Sequence, residues 1–246
     1  MTASEQINEL FSAGAHIGYS KARRHPKMKD FIYGLRNNIE IIDLETSQKK
    51  LEEAELFLKN LGKEGKAVLF VGTKPNAKNF VKETAQSLNM PFVTERWLGG
   101  TLTNLKVIGG RIGYLERLEM EEKSGGFEKY TKKERMLKNF EIEKLRKMFG
   151  GIRGLKAMPA AVVVVAPKEE VTAIAEARKK GIKVVALMNI DFSPEDIAYP
   201  IPLNDNSGQA ISMVLGRLGK AYAEGSKEKQ EAVNPHTNNS GVVNKI

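Results

Sequence analysis

The sequence predicts a doubly wound α/β fold, a parallel sheet flanked by helices, with an α-helical hairpin inserted into it. Three observations carry that reading. Residues 67–71 and 161–166 are continuous apolar runs, the pattern of strands buried on both faces of a parallel sheet. Helix-like periodicities alternate with strand-like runs through most of the chain, as a doubly wound sheet requires. Between residues 103 and 153 the alternation stops, and a long charged amphipathic stretch takes its place.

From the N-terminus, Ser4 can cap a short helix over residues 5–13, with Ile7, Leu10 and Phe11 on one face and Gly14 and Gly18 ending it. Phe31-Ile32-Tyr33 alternates as a strand, Arg36-Asn37-Asn38 turns, and residues 39–44 give a second strand. Thr46 or Ser47 opens a helix whose Leu51, Ala54, Phe57, Leu58 and Leu61 face a core, ending at Gly62. After the strand at 67–71, Gly72-Thr73-Lys74 leads into a helix with Pro75 in its first turn, carrying Phe80, Val81 and Leu88. Pro91-Phe92-Val93-Thr94 is a short strand.

In the insertion, Leu105, Ile108, Ile112 and Leu115 repeat at helix-packing spacing. Lys123-Ser124-Gly125-Gly126 breaks the pattern, and Ile142, Leu145, Phe149 and Ile152 form a second seam. Two seams about a Gly-Gly turn predict an antiparallel hairpin. Gly109, Gly110 and Gly113 weaken its first helix by about 1 kcal/mol each relative to Ala, and permit a bend or close approach by a neighbour. Alternation resumes with a helix at 169–180, a strand at 184–187, a loop at 189–194, a short strand at Ile201 and a helix opened by Ser207. From Gly225 onward Ser, Asn, Lys and Glu dominate without periodicity, the composition of a disordered tail. The expected division is a basic N-terminal helix and arm (1–36), an α/β core (37–102 and 155–225), an inserted hairpin (103–154) and the tail (226–246).

An apolar fraction of 41% suffices for a real core, and 246 residues suit one large domain or a domain with an insertion. With 39 basic against 30 acidic residues the net charge is +9, which favours a polyanion partner, nucleic acid before membrane. The absence of cysteine removes disulfides, thiol nucleophiles and thiolate metal sites. No apolar run reaches membrane-spanning length and Met1-Thr2-Ala3-Ser4-Glu5 has no signal-peptide pattern, so a soluble cytoplasmic protein is expected.

The densest basic patch lies at residues 16–36, where Lys21, Arg23, Arg24, Lys27, Lys29 and Arg36 face the single acid Asp30. His16, His25, Tyr19, Phe31 and Tyr33 are interleaved; cations attract phosphates and rings can stack on unpaired bases. The plainer reading, a solvated loop with inward aromatics, is favoured for Phe31 and Tyr33, and RNA contact for the Lys/Arg cluster. The other conspicuous stretch is Glu95 to Asn104, which holds the only tryptophan, Trp97, and the pair Gly99-Gly100. It reads as the joint where the hairpin leaves the core, with Trp97 wedged between them and Arg96 and Asn104 facing a partner. The hairpin's outer faces carry Lys132, Lys133, Arg135, Lys138, Arg146 and Lys147, suggesting a docking arm that leaves the core foldable without it.

Catalytic chemistry is hard to place. Loops at 72–74, 95–101, 166–168 and 189–193 would cluster at the strands' C-terminal ends, where such folds bind ligands, and Lys74 beside a helix start could hold a phosphate. Yet neither P-loop spacing nor a dinucleotide glycine fingerprint is present. Asp191, Glu195 and Asp196 fit an acidic helix start, and His16 and His25 lack companions at metal-ligand spacing. No catalytic residue, metal or cofactor is expected. Two readings compete: a structural RNA-binding protein, and an α/β enzyme or binding protein for a sugar phosphate or nucleotide with the hairpin as lid or dimer arm.

Several patches carry a family resemblance. They are Gly14-Ala15-His16-Ile17-Gly18, Pro26-Lys27-Met28, Ile41-Ile42-Asp43-Leu44, Arg96-Trp97-Leu98-Gly99-Gly100 with Leu102-Thr103-Asn104, and Tyr199-Pro200-Ile201-Pro202-Leu203-Asn204-Asp205. In this order they resemble the bacterial small-subunit ribosomal protein S-two family. The resemblance implies a mostly parallel five-stranded α/β core with a protruding coiled-coil hairpin. It implies a structural constituent of the small ribosomal subunit, not an enzyme, bound to small-subunit rRNA between head and body. Implied partners are that rRNA, neighbouring small-subunit ribosomal proteins and the large multi-domain ribosomal protein S-one. The expected rRNA contacts are Lys21, Arg23, Arg24, His25, Lys27, Lys29, Arg36, Arg96, Asn104, Lys106, Arg111 and Arg153, with Trp97, Gly99 and Gly100 as the structural joint. The chain departs from the family at Arg24-His25-Pro26, where Trp-Asn-Pro is usual, and at Asn189-Ile190-Asp191, where Asp-Thr-Asn is usual.

Overall fold

The computed structural model of the protein describes residues 3–233. Helix α1 (Ala3–Ser12) is followed by three short strands, β1 (Ile17–Ser20), β2 (Ile32–Arg36) and β3 (Ile39–Ile42), which make an antiparallel sheet in the order β1-β3-β2. Two 3-10 turns, Lys21–Arg23 and Pro26–Phe31, carry the chain from β1 to β2. The sequence predicts β2 and β3 but not β1, because Gly18 reads as a breaker. In the sheet that glycine is required: a Cβ there would sit 2.7 Å from the Glu40 carbonyl oxygen. Tyr33 departs from expectation. Phe31 packs inward, whereas Tyr33 is 82% exposed, because strand alternation in β2 turns Ile32 and Gly34 in and Tyr33 and Leu35 out.

Helix α2 (Leu44–Glu64) begins earlier than expected, with Asp43 as its N-cap: Asp43 Oδ1 accepts from the Glu45 N–H at 3.0 Å. The hydroxyls of Thr46 and Ser47 bond back to Asp43 instead of starting the helix. Beyond α2 the chain winds through β4 (Val68–Val71), α3 (Lys78–Ser87), β5 (Phe92–Val93), α4 (Leu105–Lys123), α5 (Lys132–Phe149), β6 (Ala161–Val165), α6 (Val171–Lys179), β7 (Lys183–Met188), β8 (Tyr199–Pro202) and α7 (Gly208–Val233). Helix α3 starts later than Pro75 suggests, after a turn at residues 75–77. Strands β4 to β8 form one all-parallel five-stranded sheet in the order β5-β4-β6-β7-β8. Alternation along β4, β6 and β7 sends Phe70, Val163 and Leu187 to one buried cluster, with residues of α1, α2, α3 and α7, and Val71, Val164 and Met188 to another. Both faces are thus covered, as the all-apolar strands require.

The last helix does not stop at residue 225. It continues to Val233, through the first residues of the expected tail; residues 234–246 lie outside the described residues. The cause is its packing along α2. A Cβ on Gly225 would overlap the Lys59 carbonyl, and one on Gly62 the Tyr222 carbonyl, so the two backbones lie in close contact. Glu228 then pairs with Lys59 at 2.8 Å and Lys63 at 2.9 Å, and Lys229 Nζ donates to the Glu64 carbonyl at 2.9 Å. Tertiary contact overrides a polar composition here.

Helices α4 and α5 pair across the seams expected of them, and a capping box at Thr131 and Glu134 starts α5. Ile108, Ile112, Leu115, Ile142 and Phe149 are buried. They belong to the same buried cluster as Val71, Val164 and Trp97, so the hairpin's seam and one face of the sheet are a single core. A self-contained arm, detachable from the core, does not fit that packing. The 3-10 turn Gly150–Ile152 covers the edge strand β5, with Gly151 pressed on the Phe92 backbone. Gly109, Gly110 and Gly113 lie within a continuous α4, each with open space where a side chain would be.

These glycines separate two effects. Gly225→Ala, which forces a methyl into backbone, lowers stability by about 1–3 kcal/mol in chemical denaturation. Gly113→Ala, which adds a methyl in open space within a helix, raises the protection of α4 in hydrogen exchange by about 0.5–1 kcal/mol.

Candidate nucleic-acid interface

The joint between core and hairpin is built around one buried carboxylate. Glu176 lies on the inner face of α6, among Ala173, Ile174 and Ala177, and is 8% exposed. Its Oε1 accepts from the Trp97 Nε1–H at 3.0 Å and the Gly100 N–H at 2.7 Å. Its Oε2 accepts from the Leu102 N–H at 2.9 Å, the Thr103 N–H at 3.0 Å and the Thr103 hydroxyl at 3.1 Å. Burial pushes the Glu176 carboxyl up, but the indole and the three backbone donors outweigh it and hold it below the ordinary 4.5. The loop before α4 is therefore an anion-binding nest wrapped on an internal anion. Gly100 has φ +94°, which favours glycine, whereas Gly99 is unconstrained.

Trp97 is buried as expected, and its indole N–H is satisfied. Arg96 beside it is exposed, as is Asn104, which occupies the N-cap position of α4 without a side-chain cap. Lys106 and Arg111 are exposed on α4 and make no ion pair among the described residues. Arg153 is different: both its terminal nitrogens reach Glu119, at 2.9 and 2.7 Å, and Arg146 adds a third bond at 2.9 Å. Hydrogen bonds from Arg153, then Arg146, hold Glu119 at about 2 against the cost of its burial. Arg153 thus ties the turn after α5 to the last turns of α4.

In the N-terminal arm the structure divides the expected contacts. Arg24 bonds the buried Glu40 at 2.7 Å, and Arg23 bonds Asp191 at 3.3 Å while lying over the Tyr19 ring at 3.9 Å. Lys27 pairs with Glu195, and His25 Nδ1 accepts from the Lys27 N–H at 3.3 Å. The His25 N–H also donates to the Ile190 carbonyl at 2.8 Å. The bonds to Asp191, Glu195 and the Ile190 carbonyl dock the arm on the loop after β7, and Arg24 ties it to β3. Lys21, Lys29 and Arg36 are exposed and make no ion pair among the described residues. Asp191 and Glu195 anchor the arm, and the segment holding them is turns, not the helix start expected of it.

The strand ends that would form an enzyme's crevice are tied to one another. Asp205 accepts from Lys74 Nζ at 2.9 Å, Asn189 Nδ2 at 3.1 Å and the Tyr19 hydroxyl at 3.2 Å. The buried Glu170 takes the Thr73 N–H at 2.9 Å, and burial raises its carboxyl. Lys74 is thus committed internally. Among the described residues no group of His, Cys, Asp and Glu could hold a metal ion. Glu176 was missed from sequence, and Asp205 stands there only within the patch Tyr199–Asp205, without a role; the one available signal for Glu176 was an acid at a core-facing position of an otherwise apolar helix face.

Comparison with known proteins adds to this geometry. The family model described as Ribosomal protein S2 matches residues 10–225. The chain is 42% identical over 225 residues to the Small ribosomal subunit protein uS2 of Dictyoglomus thermophilum, covering 92% of each protein. It is also 42% identical over 219 residues to the protein of that name from Dictyoglomus turgidum, covering 89% of each.

The two depressed carboxyls set an acid response. A group whose folded pKa is lowered contributes stability present above its unfolded value and lost as pH falls through the folded one. As pH falls below the ordinary carboxyl range, Glu176 takes up a proton below its usual value and Glu119 only at about 2, and the joint loosens. Trp97 fluorescence, blue-shifted at neutral pH, should move to the red across that window. Glu119→Gln should flatten the acid response of the hairpin and leave the neutral-pH emission unchanged.

Proposed function

The chain belongs to the ribosomal protein S2 family, and on that premise we propose that it binds small-subunit rRNA between head and body, through its N-terminal arm and the surface around Arg96. A member of this family is a structural constituent of the small ribosomal subunit and not an enzyme. It acts in the cytoplasm, with rRNA and neighbouring ribosomal proteins as its partners.

The observation that carries the rRNA reading is the division of labour within the basic arm. Arg23 and Arg24 pair with the buried side chains of Asp191 and Glu40 and Lys27 with the exposed Glu195, and the His25 N–H bonds the Ile190 carbonyl, which together hold the two 3-10 turns against the core. Lys21, Lys29 and Arg36 are left exposed on that platform. A held platform presents its cations without the ordering cost of a flexible loop. Lysine and arginine on turns and strand ends supply phosphate attraction, not base-edge geometry, so they position the protein and read little sequence. Arg96, Lys106 and Arg111 extend the same chemistry past the joint and along α4.

Phosphate contacts are counted by salt. Each neutralised phosphate contributes a log-log slope of roughly −0.7 to −0.9, so Lys21→Ala with Lys29→Ala should make the slope of rRNA binding shallower by about one to two units. Arg24→Ala should act otherwise, lowering stability by leaving Glu40 buried and unpaired. A full slope in the double Lys variant would show that the arm does not contact rRNA.

A further inference from the structure

A second basic surface lies at the opposite edge of the sheet. Between α3, β5 and the end of α5 runs a groove of about 440 Å³. Lys78 and Lys82 line it from α3, and Arg146 and Lys147 from α5. Glu95 is the one carboxylate in its lining, paired with Lys78 at 3.1 Å, and Arg146 is shared with Glu119. Lys82 and Lys147 are exposed and make no ion pair among the described residues.

We infer that this groove holds a segment of RNA phosphate backbone, separate from the one the N-terminal arm contacts. Four cations against one carboxylate give the groove a positive field that an extended polyanion can fill. Lys78 and Lys82 are one helical turn apart, about 6 Å along the axis, so they present charge at successive steps of one strand. Asn79 and Gln86 add amide donors, the groups that accompany Lys and Arg at phosphates. None of the exposed large apolar residues lines the groove. A protein segment would need such an anchor, because aromatic and aliphatic anchors carry most of the energy of protein docking. The floor is firm: Gly150 and Gly151 sit in the turn that presses on Phe92 of the edge strand.

The groove also lies well away from the arm. The arm docks beyond β7 and β8, through Asp191, Asp205 and the Ile190 carbonyl. The groove borders β5, at the other end of the order β5-β4-β6-β7-β8. Four inter-strand steps separate the two edges, about 20 Å. The two surfaces thus present their cations to RNA at points about 20 Å apart, on opposite edges of the sheet.

This rests on the rRNA reading above, and the test separates the two. The full chain is bound to small-subunit rRNA with hydroxyl-radical footprinting and a salt titration, as wild type, as Lys82→Gln with Lys147→Gln, and as Lys21→Gln with Lys29→Gln. Each double variant should make the salt slope shallower by about one to two units. Each should also erase a different set of backbone protections and leave the other set in place. A groove variant with unchanged slope and footprint, beside an arm variant that loses both, overturns the groove and leaves the rRNA reading standing. A groove variant with unchanged rRNA binding but lost incorporation into small subunits assigns the groove to an acidic protein segment and also overturns the proposal. A wild type with no salt-dependent rRNA binding ends both.

Discussion

Everything at the joint depends on Glu176 being ionised while buried. A carboxylate taken out of water is costly unless its lone pairs are filled. Here an indole, three backbone amides and a hydroxyl fill them. The dependence is mutual. Without the carboxylate, the turn at Gly100 and the amides of Leu102 and Thr103 would be buried donors with nothing to bond. One residue of α6 thereby sets where Trp97 sits and at what angle α4 departs. Trp97, Leu102 and the hairpin seam then share one buried cluster with the sheet face. The hairpin is an outgrowth of the core, held at its root by a charge, with Glu119, Arg146 and Arg153 as a second tie.

What the sequence made legible follows from how local each signal is. The runs at 67–71 and 161–166 name their own environment, because only a strand covered on both faces can be apolar at every position. The hairpin seams were legible for a similar reason: spacing along one helix is a local property. The role of Glu176 was not, since its partners lie more than 70 residues away and most are backbone groups that any sequence carries. The extension of α7 was hidden in the same way. Its last turns are polar and aperiodic, and only the close approach of Gly62 and Gly225 brings Glu228 within reach of Lys59 and Lys63.

The basic residues show a different limit. Sequence counts cations but not their partners. Arg24 and Arg153 look like phosphate ligands and pair with Glu40 and Glu119 within the chain, while Asp191 and Glu195, which looked like a helix start, pair with Arg23 and Lys27 of the arm. The exposed cations are thus fewer than composition suggests and are held on surfaces that internal ion pairs have already positioned. Such an arrangement suits a protein that joins structured RNA, where the shape must be present before the contact.

The most direct test of the central claim is hydrogen exchange at the amides of Gly100, Leu102 and Thr103 in wild type and Glu176→Gln. If Glu176 holds the joint, these amides exchange as slowly in the wild type as those of β6. In the variant they exchange fast, together with the first turn of α4, while β6 keeps its protection. Fast exchange at these three amides in the wild type, or unchanged protection in the variant, would contradict the account.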